Sequence, residues 1–343
     1  MNRYRLKITI AFITILLTNA CKHETHRSFY YWKSVYHLSQ SERKCLEELN
    51  ISKLYIRFFD VDLDEPSGKA VPIAKIRFAD NVLSSYKVVP VVYIVNKTLQ
   101  KSKYQDITDL AIKILTQVEN IASSKNIAFC ELQMDCDWSD NTHSNYFALL
   151  EVLKTKLHEQ GKILSATIRL HQVKYKNITG LPPVDRGMLM YYNMGKISPD
   201  ASPNSVFNTT DAAKYIDYLP DYPLPLDVAL PAFSWGIHVR NGKVIELLNS
   251  MNSSDFENNA NFTQVDSSTF TIPKSFFFRG FYFMKNDVVK VEEITPAQCN
   301  TAAQQLKSKL PKHAESIAIF HLDSLIISHY EKQDFEKVFS TYH

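Results

Sequence analysis

In Cys130-Glu131-Leu132-Gln133-Met134-Asp135-Cys136-Asp137, apolar and polar side chains alternate strictly, Cys, Leu, Met and Cys against Glu, Gln, Asp and Asp. A period of two marks a β-strand whose faces meet different surroundings. The period recurs in Leu164–His171, where Ser165, Thr167, Arg169 and His171 share the polar face. It recurs from Leu54 to Phe59, which sets Arg57 among apolar neighbours, and near the C-terminus, where Ala318, Phe320 and Leu322 alternate with Ile319, His321 and Asp323. Helix-like spacing separates the runs, over 41–49, 106–123, 145–160 (stopped by Gly161), 210–219 and 295–310. Strands and helices alternating along the chain predict an α/β fold with a parallel sheet.

An open parallel sheet is covered by helices on both faces, so its central strands are apolar throughout. The polar faces here predict a closed barrel instead. Candidate strands begin near Phe29, Leu54, Lys87, Ala128, Ile163, Gly187, Asp227 and Ile317, matching the eight of a (β/α)8 TIM barrel. About eighty residues between the last two strands exceed one crossover. Gly236–Leu248 and Phe281–Glu293 each read as a hairpin, turning at Asn241-Gly242 and Asn286-Asp287, so a β-hairpin insertion over 236–293 is expected on the rim. Asn249–Ser268 reads as a long exposed loop.

The N-terminus has a different pattern. Arg3, Arg5 and Lys7 precede a ten-residue apolar run, Ile8–Leu17, and then Thr18-Asn19-Ala20-Cys21. This is a secretory signal, too short for a permanent membrane helix. A small residue before the cysteine is similar to the lipobox of bacterial lipoproteins, with Thr18 where Leu is usual. Lipidation of Cys21 is expected, with 1–21 as signal, 22–28 as tether and 29–343 as barrel. The expected address is the bacterial cell envelope, at the outer membrane.

Without the three signal-segment cations, 36 Lys and Arg face 36 Asp and Glu, a balance that gives no reason to expect nucleic acid. Beyond Cys21, the cysteines Cys45, Cys130, Cys136 and Cys299 read as buried free thiols; six residues along one strand hold Cys130 and Cys136 too far apart to pair. With eight glycines and no phosphate-cradling loop, no G-x-S-x-G elbow and no local metal-ligand spacing, no cofactor or metal is expected.

Candidate chemistry collects at the predicted C-terminal strand ends. Gln133, Asp135 and Asp137 rise along one face, and two neighbouring carboxylates push one pKa upward. Trp32, Trp138 and Trp235, the three tryptophans of the chain, all fall at such ends and suit stacking on sugar rings. Arg169, His171 and Asp323 share the expected mouth.

Several of these strands resemble those of chitinase-like glycoside hydrolases, whose fourth strand carries D-x-x-D-x-D-x-E. The pattern falls here on Cys130, Gln133, Asp135 and Asp137, where Asp135 matches in type and Asp137 is one methylene shorter than Glu. The family's M-x-Y-D falls on Met190-Tyr191-Tyr192-Asn193, with Asn193 in place of Asp, and Ala229–Gly236 is similar to its G-x-P-x-Y-G. Tyr30-Tyr31-Trp32 and Phe58–Asp62 also resemble motifs of barrel lipoproteins of gut-type bacteria. The first resemblance implies hydrolysis assisted by the substrate's own acetamido group, which Asp135 orients, Tyr192 holds by its oxygen, and Asp137 completes by protonating the leaving oxygen. Trp32, Gln133, Trp138, Arg169, His171, Asn193, Trp235 and Asp323 are then the expected glycan contacts. The missing carboxylates leave an alternative expectation, a carbohydrate-binding lipoprotein barrel without catalysis.

Overall fold

The computed structural model describes residues 25–82, 84–200, 203–310 and 313–342. Eight parallel strands form the barrel: β1 His26–Tyr31, β2 Lys53–Asp64, β3 Lys87–Ile94, β4 Glu131–Asp135, β5 Ile163–Arg169, β6 Arg186–Met190, β7 Leu226–Pro231 and β8 Ser316–Phe320. Each pairs with its neighbour in chain order, and β1 pairs with both β2 and β8, closing the ring. The (β/α)8 expectation is met, with helices near the expected spans, such as Ile107–Ser124 and His143–His158.

The alternation sorts side chains as the barrel requires. Outward positions such as Leu132, Met134 and Ile168 are buried beneath the helices. Inward positions are unusually polar, and many of them pair with one another. At the N-terminal end of the strands, Lys53 Nζ donates to Glu131 at 2.7 Å, the Ser165 hydroxyl donates to the same carboxylate at 2.7 Å, and Ser28 bonds Ser316 at 2.7 Å. A buried pair of this kind survives only with such supporting hydrogen bonds.

The boundaries differ from expectation at the start. β1 begins at His26, inside the stretch expected to be tether, and Thr25 is buried with its hydroxyl donating to Ala314 O at 3.1 Å. The tether assignment of 25–28 is thereby corrected; Cys21 and the signal lie outside the described residues. A C-terminal helix not foreseen, Lys332–Ser340, packs Phe335 and Phe339 edge-on against Phe29. Cys136 and Cys299 are buried free thiols, but Cys130 is exposed and Cys45 only partly covered.

The insertion after β7 is a small sheet with its own core. Ser234–Arg240 pairs antiparallel with Lys243–Asn249 through Asn241-Gly242, whose positive φ angles of 50° and 70° suit a tight hairpin turn. The second expected hairpin is absent: Val288–Glu293 pairs with Ser234–Arg240 and Thr269–Thr271, while Phe281–Phe283 pairs back onto Phe276–Phe278. Nor is Asn249–Ser268 a long exposed loop. Met251, Phe256 and Phe262 within it pack in one cluster with Phe270 and Phe283, so scattered apolar residues in a polar stretch supply part of the insertion's core.

Candidate functional site

The polar faces of β4 and β5 form a ladder that climbs the barrel interior. Above Glu131, Gln133 accepts from the Tyr30 hydroxyl at 2.5 Å; next, Asp135 Oδ1 accepts from the Thr167 hydroxyl at 2.6 Å; at the top, both oxygens of Asp137 accept from Arg169, Nε at 2.5 Å and Nη2 at 2.9 Å. The geometry follows from register, since Gln133 stands beside Ser165 and each two-residue step brings the next pair of inward side chains together.

Above the ladder opens a cavity of about 620 Å³, lined by Asp135, Asp137, Arg169, Tyr192, Asn193, Trp32, Trp235 and Asp323 among the expected residues. That volume is ordinary for a small-molecule or sugar site. Burial pushes the Asp135 carboxyl up to about 6; the Thr167 hydroxyl holds it down and the Asp137 charge adds to the rise. The Tyr192 hydroxyl is buried without a hydrogen-bond partner. Burial likewise raises its pKa well above the usual tyrosine value, so the group is a neutral donor. The Arg169 guanidinium is partly buried, and Asp137 more than offsets the cost of that burial, keeping its charge fixed.

Aromatic rings build one wall. Phe320 lies 5.2 Å from Tyr192, 5.6 Å from Phe233 and 5.6 Å from Trp32, and Phe233 lies 5.3 Å from Trp235, centroid to centroid. Trp235 is fixed by its Nε1 donating to Glu292 at 3.2 Å. The Arg57 guanidinium sits 5.4 Å from the Trp32 ring and grips Asp60 with both arms of its fork. Asn193 takes a left-handed φ of 53°, a conformation asparagine tolerates, and turns the chain at the top of β6.

Three expected contacts are elsewhere. Gln133 is buried below the cavity, spent on Tyr30. Trp138 is buried outside the barrel, stacked on Tyr146 at 5.3 Å with Nε1 donating to Thr179 O at 3.0 Å, so it is a packing residue. His171 leaves the strand face because β5 ends at Arg169 and Leu170–Lys174 coils into a helix; its side chain borders a neighbouring cavity. Conversely, Lys33, Arg57, Asp60, Tyr93, Phe233, Phe320 and His321 line the main cavity without having been named as glycan contacts. Arg57 and Asp60 carried a signal, being polar in an apolar strand. Phe320 carried none, because it had been placed opposite His321 on a strand that stops one residue before the histidine.

No family model matches the chain and no curated sequence matches it significantly. Solved structures do. A chitinase from Chromobacterium violaceum ATCC 12472 superposes with a TM-score of 0.55 at 12% identity, over 92% of this chain and 98% of that one. The fold is that of chitinase-like glycoside hydrolases. The spore cortex-lytic enzyme SleL of Bacillus megaterium QM B1551 aligns over 93% of this chain and 74% of its own (TM-score 0.56, 14% identity). A chitinase-like agglutinin from Robinia pseudoacacia aligns over 92% and 99% (TM-score 0.52, 14% identity). The chitinase-like fold thus includes proteins named as enzymes and one named as an agglutinin.

Proposed function

We propose that the protein is an exported glycoside hydrolase acting on an N-acetylated glycan, held at the bacterial cell envelope by lipid on Cys21. The observation that carries the reading is the juxtaposition of Asp135, a buried carboxyl with a pKa near 6, and the unpartnered Tyr192 hydroxyl in one aromatic-lined cavity. A buried donor without a partner is costly, and a ligand oxygen that accepts from it recovers the cost.

In this mechanism an acetamido sugar enters with its carbonyl oxygen on the Tyr192 hydroxyl and its N–H on Asp135. The carbonyl oxygen attacks the anomeric carbon as the glycosidic bond breaks. Asp137 gives its proton to the leaving oxygen, and water then opens the cyclic intermediate while returning a proton to Asp137. Release of reducing ends from N-acetylated but not from neutral polysaccharides tests this. Equal release from both, or none, counts against it.

A second reading has its own observation. Arg169 occupies both oxygens of Asp137, the proposed proton donor. If that pair never opens, the barrel binds glycan without cleaving it.

A further inference from the structure

Asp137, Arg169, Asn193 and Trp235 line the main cavity and also an adjoining one of about 480 Å³. The Arg169–Asp137 pair therefore stands at the junction of two chambers. A glycan crossing from one to the other passes over it, with the acetamido sugar above Asp135 and the leaving sugar in the second chamber, beside Arg169 and His171. Asp137 cannot donate a proton while a guanidinium fork holds both its oxygens, so something must draw Arg169 away.

We infer, building on the hydrolase reading, that the leaving sugar carries an anionic group, a carboxylate or sulfate, which takes over the Arg169 fork and frees Asp137 to act as the acid. The planar fork suits such a group, whereas a neutral hydroxyl cannot displace a carboxylate from it. One anion replaces another on Arg169, and both oxygens of Asp137 are released from the fork to relay a proton from solvent to the leaving oxygen. Among the charged groups lining the second chamber, Asp137 and Arg169 compensate each other. Protonation of Asp137 leaves the guanidinium charge for the incoming anion. Of the other carboxylates lining the main cavity, Asp60 is held by Arg57, Asp323 lies 3.6 Å from Lys33, and Asp135 accepts from the Thr167 hydroxyl. The substrate thus unlocks its own proton donor.

The test uses two β-linked disaccharides with N-acetylglucosamine first, and glucose or glucuronic acid second, differing at one carbon. Hydrolysis is measured with the parent protein, and binding is measured calorimetrically with Asp137→Asn. The expected result is a kcat/KM at least about tenfold higher for the acidic disaccharide, as for a charged hydrogen-bonded contact. In Arg169→Gln the preference should vanish while thermal unfolding shows a folded protein. Equal kcat/KM for the two disaccharides overturns the inference and leaves the hydrolase reading standing. If neither is cleaved but the acidic one binds more tightly, and Arg169→Gln removes that difference, anion recognition stands and hydrolysis falls. Equal binding without cleavage overturns both.

Discussion

The Thr167 hydroxyl donates to Asp135 Oδ1 at 2.6 Å inside the barrel, the strongest of the contacts that keep this buried carboxylate charged. Burial opposes it, and the balance sets the group at about 6. Thr167→Val keeps the side-chain volume and removes the donor. The pKa of Asp135, read from carboxyl chemical shifts in an NMR titration, should then rise above that of the parent. An unchanged value would mean that the hydroxyl does not bear on the acid.

The same shift predicts a stability dependence. Between the ordinary aspartate pKa of 3.8 and about 6, the folded protein holds a proton on Asp135 that the unfolded chain has released, so this group favours folding at low pH and costs stability as pH rises through 6. Asp227 acts in the same sense, whereas burial holds His321 down to about 4, so it destabilises the fold as pH falls below 6.5. Comparing Asp135→Asn with the parent isolates Asp135. The variant should gain about 1–3 kcal/mol at pH 7.5 and close to nothing at pH 4, in urea unfolding. A pH-independent difference would contradict the assignment.

Tyr192→Phe separates binding from folding. The hydroxyl has no partner to lose, so the variant should unfold within about 0.5 kcal/mol of the parent or somewhat higher. Affinity or kcat/KM for the N-acetylated glycan should drop roughly 10–100-fold, the cost of an unmade hydrogen bond. A fall in stability without a loss of glycan affinity would place the hydroxyl in the fold and not in the site.

Two tryptophans should behave oppositely. Trp138→Ala removes a buried ring and its hydrogen bond, and is expected to cost about 3–5 kcal/mol in denaturant unfolding. Trp32→Ala, at the half-buried cavity wall, should cost less stability and weaken glycan binding severalfold to tenfold or more. Similar profiles for the two would undo the distinction between packing and lining.

Alternation along Glu131–Asp137 and Leu164–Arg169 was enough to place both strands and to mark their inward faces, because in a closed barrel a period of two has only one way to bury its apolar side. It did not reveal where a strand stops. His171 lies beyond the end of β5 and His321 just beyond the end of β8, since both strands leave extended geometry at a point no side-chain pattern announces. Trp138 misled for a related reason: just beyond the end of β4 an aromatic can turn inward to the mouth or outward beneath a helix, and residue type alone does not choose. Gln133 points inward as expected, but it is bonded to Tyr30 and does not line the cavity. Asp137 and Arg169 were each legible as polar residues near the ends of neighbouring strands, but their bidentate pairing depends on register that only the assembled sheet supplies.

Hydrolysis by this barrel requires that Asp137 give up a proton. Sugar release should be measured for the soluble protein beginning at Lys22, on N-acetylated polysaccharides that include acidic ones, with Asp137→Asn assayed in parallel. The expected result is release by the parent and a loss of at least about a hundredfold in the variant, with glycan affinity kept within a few fold. Retained binding by both proteins with no release by either would contradict it and leave a carbohydrate-binding barrel.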